Sequence, residues 1–126
     1  MGILSCLLYP DIYQCNHMGN FAVFENLMKS GDELEPPREV KHWLYFKNMK
    51  MLKQFVQAIK KHDFSLADES VDVEEDGRYL LSISRIDSVN IASINEVTDM
   101  LVELSETYDG DYDGWETVVI HRSDGI

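Results

Sequence analysis

With 126 residues, 44% of them apolar, the chain is long enough for one domain with a buried core and too apolar for wholesale disorder. Its formal net charge of −12 opposes polyanion binding, which depends on phosphate neutralisation, and suits a basic protein surface. No apolar run approaches the roughly 20 residues that cross a bilayer, and two cysteines are too few for a disulfide scaffold.

Residues 1–19 lack clear periodicity and read as an N-terminal extension. Ile3–Tyr9 is short, has no basic residue before it and is followed by Pro10-Asp11, which makes a poor signal peptide, so a cytoplasmic, bacterial-type protein is expected. Cys6, Cys15 and His17 offer three metal ligands where structural zinc takes four, and no metal is expected there. Residues 20–38 form an N-terminal helix and linker. Asn20 reads as the N-cap of a helix over Phe21–Ser30, with Phe21, Phe24, Leu27 and Met28 on one face and Gly31 as its stop. Pro36-Pro37 then keeps the chain extended.

A regular plan occupies residues 39–122, and 123–126 form a short tail. Val40–Phe46 is dense in β-branched and aromatic residues and predicts a strand. Asn48 caps a helix to about His62, with Leu52, Phe55, Val56 and Ile59 at buried-stripe spacing. A strand over Phe64–Glu74 changes apolar parity, which predicts a bulge or break near Asp68–Ser70. Asp76-Gly77 is a strong hairpin signal leading into Tyr79–Ile86. A helix from Ile91 to Tyr108 carries Ile94, Val97, Leu101, Leu104 and Tyr108, and a last strand spans Tyr112–His121, where Gly114 beside Trp115 suggests a bulge or close approach. The order is β-α-β-β-α-β. Right-handed crossovers and the hairpin lead to an α+β, ferredoxin-like sandwich: a four-stranded antiparallel sheet with two helices on one face, plus the N-terminal helix. The other sheet face is then solvated, covered by the N-terminal helix, or met by a partner.

Charge is unevenly placed. Arg38–His62 holds seven basic residues against Glu39, whereas Asp63–Ile126 holds seventeen acids against three arginines. Lys50, Lys53 and Lys60 flank one long helix; Glu96, Asp99, Glu103 and Glu106 line the other. Pro37–Phe46, the Asp76-Gly77-Arg78-Tyr79 turn, Ile94-Asn95 and Tyr112-Asp113-Gly114-Trp115 together resemble the regulator of ribonuclease E activity B family, over about Asn20 to His121. The resemblance implies a ferredoxin-like fold, no cofactor, and binding to the endoribonuclease of bacterial messenger RNA decay, whose activity it lowers.

No catalytic constellation emerges. His42 reads as a packed strand histidine, and Asp109, Asp111, Asp113 and Glu116 do not follow a calcium-loop pattern. The leading expectation is a non-catalytic module for a basic protein partner such as an endoribonuclease. Trp115 would anchor it, with Asp111, Tyr112, Asp113 and Glu116 beside it and Glu96, Asp99 and Glu103 on the helix; the other reading of Trp115 is that it caps the core while Asp113-Gly114 shapes a bulge. Its oligomeric state is open. The alternative is single-stranded RNA binding, with Trp43 or Tyr45 and Tyr79 as a stacking platform on the open sheet face.

Overall fold

The computed structural model describes residues 12–119. Ile3–Tyr9, Cys6, the 123–126 tail and the Cys15 side chain lie outside the described residues. The chain runs α1 (Ile12–Lys29), β1 (Arg38–Phe46), α2 (Met49–Ile59), β2 (Ser65–Val73), β3 (Tyr79–Asp87), α3 (Ile91–Thr107) and β4 (Gly110–Thr117). This is a mixed α+β fold with three α-helices and an open antiparallel sheet, in which the strands are hydrogen-bonded in the order β2-β3-β1-β4.

Local chemistry sets most of these elements. Asn48 Oδ1 accepts the Met51 N–H at 2.8 Å and Asn90 Oδ1 accepts the Ser93 N–H at 2.9 Å, so both later helices start on an asparagine N-cap. Helix α2 passes into a single 3-10 turn, Lys60–His62, and ends where Asp63 turns left-handed at φ 65°. At the β2–β3 hairpin Gly77 adopts φ 85°, and the Glu74 N–H donates to the Arg78 carbonyl at 2.8 Å. The β2 register shifts between Leu66 and Val71, at the expected break. The β4 register shifts opposite Trp43/Leu44: Tyr112 pairs with Leu44 and Gly114 with Trp43, leaving Asp113 as the extra residue of a bulge.

Helix α1 departs from the sequence reading. It begins at Ile12, so Asn20 stands inside it and is no N-cap, and the boundary set at residue 19 falls within the helix. Long-range packing outweighs the local capping preference. The Asn20 amide donates to Asn95 Oδ1 at 2.8 Å and to Thr98 Oγ1 at 2.7 Å, which ties α1 to α3. Of the expected apolar face only Leu27 is buried; Phe21 and Met28 are exposed. Gly31 does end the helix, at φ 84° with the Asp32 N–H returning to the Leu27 carbonyl.

Two buried clusters share one side of the sheet. Leu44, Phe46, Leu81 and Ile83 meet Leu52, Phe55 and Ile59 of α2 and Val97 and Leu101 of α3. Leu27 of α1 meets Val40, Val89, Ile94 and Trp115. The first of these clusters alone buries enough apolar surface to contribute about 1.5–3 kcal/mol per large side chain. The linker is tied down as well. Arg38 forms a buried ion pair with Asp32, and the Val89 N–H donates to the Leu34 carbonyl at 3.1 Å. All three helices therefore lie on the same side, with α1 packed against α3, so that no described helix covers the second face of the sheet.

Candidate partner-binding face

Burial along β1 alternates strictly. Arg38, Val40, His42, Leu44 and Phe46 are buried, whereas Glu39 and Lys41 are exposed and Trp43 and Tyr45 half-buried. Successive side chains of a strand point to opposite faces, and residues paired across strands share a face. Lys41, Trp43 and Tyr45 therefore stand on the helix-free face. Beside them are Ser84, Ser82 and Leu80 of β3 and Glu116, Gly114 and Asp111 of β4. Ile86, 63% exposed, extends the apolar part of this face opposite Glu39.

The centre of the face is aromatic, and the carboxylates around it outnumber the cations of Lys41 and Arg78. The Arg78 guanidinium lies 4.1 Å from the Tyr45 ring centroid, and its Nε donates to Asp76 Oδ2 at 2.7 Å. The Tyr45 hydroxyl is pushed above its ordinary pKa, first by desolvation and then by the carboxylates of Asp113 and Glu74, with Arg78 opposing. The carboxylates of Asp113 and Glu74 near this hydroxyl contribute a negative field, which attracts cations and repels phosphates.

The residues expected to form one patch are divided by the sheet. Asp111 and Glu116 stand exposed on the helix-free face, with Asp113 at the bulge between them. Trp115 does not anchor that face: it is 1% exposed, pairs with buried His42, and donates its indole N–H to Asn20 Oδ1 at 2.8 Å. The bulge at Asp113 restores the alternation that sends Trp115 toward the helices. Tyr112 is likewise turned inward, where its hydroxyl lies 2.8 Å from His42 Nδ1. Glu96 and Glu103 are exposed on α3, on the opposite side of the molecule. Asp99 is engaged by His17 Nε2 at 2.7 Å and by the Asn16 amide at 3.0 Å. Tyr79 pairs with Phe46 and packs against the core, which removes it from the stacking platform; Trp43 and Tyr45 remain.

His42 is enclosed too. Burial, with a smaller contribution from Arg85, lowers its pKa to about 3, so the ring is neutral at pH 7. Its Nε2 has no hydrogen-bond partner, the Phe64 ring standing edge-on at 5.8 Å. Among the described residues no three histidine, cysteine or acidic side chains are placed to hold a metal ion, and no helix is long and apolar enough to cross a membrane.

The family model for Regulator of ribonuclease activity B matches residues 17–117, from inside α1 to the last residue of β4. The chain belongs to the Regulator of ribonuclease activity B family. No curated protein matches it. The match covers every strand of the sheet, so the helix-free face belongs to the part of the chain that defines a Regulator of ribonuclease activity B protein. The signal for that face was present in β1: Glu39 and Lys41 share the parity of Trp43 and Tyr45, and charged residues mark the outward set.

Proposed function

We propose that this protein is a non-catalytic regulator that docks a basic surface of a ribonuclease on the helix-free face of its sheet and lowers the enzyme's activity. The observation that carries the reading is the pairing of accessible Trp43 and Tyr45 with the carboxylates of Asp111 and Glu116 on a face that no described helix covers. Tryptophan, tyrosine and arginine dominate interface energetics, and opposite charge steers encounter and fixes register. Family membership supplies the ribonuclease as the partner class. We read the strand order with helices on one side as a ferredoxin-like sandwich carrying an added α1, and place the protein in the bacterial cytoplasm.

A cleavage assay with the purified host endoribonuclease and a labelled single-stranded RNA tests this. Cleavage slows as the protein is added, and the paired reversal Asp111→Lys and Glu116→Lys raises the concentration needed by roughly tenfold or more. An unchanged rate at saturating protein overturns the regulatory role. Trp43 and Tyr45 side by side on a central strand also suit base stacking. A low-salt gel shift with the same RNA decides that second reading, and the acidic surroundings favour no shift.

A further inference from the structure

We propose that Trp43 is the anchor of this face and that it takes the guanidinium group of an arginine from the partner. The inference rests on the docking face proposed above and names what that face recognises. Trp43 sits on central strand β1 between Ser82 and Gly114, so small residues flank the indole on both neighbouring strands. Among the described residues no cation or second ring lies against it, and its indole N–H has no protein partner, whereas the indole N–H of Trp115 is bonded to Asn20. The ring is free to accept a group from outside.

The same face already displays the pairing on a smaller scale. Arg78 covers Tyr45 while Asp76 holds the guanidinium edge, so ring face and carboxylate act on one cation together. Around Trp43 the same two elements recur: Asp111 and Glu116 belong to β4 on either side of Gly114, within diagonal cross-strand reach of the indole. Tryptophan is the best of the rings for a cation, and a planar guanidinium can stack on it while its N–H fork reaches a carboxylate. A lysine ammonium offers the charge without the plane or the fork. A second copy of this chain is a poor donor, because its described arginines are engaged: Arg38 with Asp32, Arg78 with Asp76, and Arg85 with Asp87 and the Phe64 ring. Phosphate-bearing ligands meet Asp111 and Glu116 beside Trp43, with Lys41 as the neighbouring cation opposite Glu116, a balance that disfavours them.

Intrinsic fluorescence tests the assignment, since Trp115 is buried and Trp43 is the accessible indole. The probe is a nine-residue Arg-Gly-rich peptide, compared with its lysine counterpart and with single-stranded RNA of equal length. The arginine peptide perturbs Trp43 emission and binds roughly tenfold tighter than the lysine peptide. Anisotropy of a dye-labelled copy of the peptide, which does not depend on the indole, shows binding lost in Trp43→Leu, which keeps apolar bulk without a π face, and retained in Trp43→Phe, with circular dichroism as the check that both are folded. Equal affinity for the two basic peptides, unchanged binding in Trp43→Leu, or preference for the RNA overturns the proposal. Ribonuclease inhibition separates the two levels. Inhibition that survives Trp43→Leu but fails on reversal of Asp111 and Glu116 removes the anchor and keeps the face. Inhibition that survives both removes the face itself.

Discussion

Trp115 and Asn20, 95 positions apart, form a buried hydrogen bond from the indole N–H to the amide oxygen at 2.8 Å. The bond joins the last strand to α1 across the cluster of Leu27, Val40, Val89 and Ile94. Asn20 simultaneously donates to Asn95 and Thr98, so one side chain links α1, α3 and β4. Trp115→Ala removes the largest fully buried side chain and costs about 3–5 kcal/mol. Asn20→Ala strands the indole donor and costs about 1–3 kcal/mol. Urea denaturation measures both. A Trp115→Ala variant with wild-type stability and impaired partner binding would restore the docking role denied to it here.

Gly110 opens β4 opposite Phe46, and any Cβ on it would overlap that ring. Phe46 is fully buried between Gly110 and Phe55, whose ring centroid is 5.0 Å away, so it has little room to yield. Gly110→Ala is expected to destabilise the fold by about 1–3 kcal/mol through overpacking. Adding Phe46→Leu to that variant relieves part of the loss. Chemical denaturation of the single and double variants checks this, and additive losses would show that the ring is not the obstacle.

His42 predicts a specific response to acid. Its folded-state pKa of about 3 lies below the ordinary 6.5, because burial disfavours the charged ring. Between those values the unfolded chain takes up a proton that the folded chain refuses. Stability from this residue is complete above pH 6.5 and falls as the pH drops toward 3, by at most about 1.4 kcal/mol per pH unit. The double variant His42→Phe with Tyr112→Phe removes the ring and the hydroxyl bonded to it together. Urea midpoints at pH 7.5, 5.5 and 4.5 should show a shallower acid loss in that variant; identical slopes would exclude His42 as the acid-labile group.

The local signals that proved readable share one property: each is satisfied within a few residues of itself. Asn48 caps α2 with its own Oδ1, Asp76-Gly77 closes its hairpin, and the parity change in β2 marks a register shift in the same strand. The helix stripe of Leu52, Phe55 and Ile59 is buried as its spacing requires. Asn20 illustrates the opposite case. Its residue type fits an N-cap, yet three partners from α3 and β4 hold it inside a helix. No local rule contains those partners.

The candidate site divides along the same line. The acidic, aromatic Tyr112–Glu116 segment was correctly marked by composition as unusual, but which face each side chain takes depends on a single extra residue at Asp113. Without that bulge, Tyr112 and Trp115 would fall on opposite faces by simple alternation. With it, both turn inward.

Amino-acid order alone thus determined the order of strands and helices, the turn positions and the acidity, because these rest on short-range periodicity, capping chemistry and composition; the family showed only as a resemblance of its motifs. The tertiary structure decided which of two tryptophans meets solvent. That choice rests on how a bulged edge strand registers against β1 and on the partners α1 and α3 bring to the buried indole, and those contacts exist only once distant segments have packed.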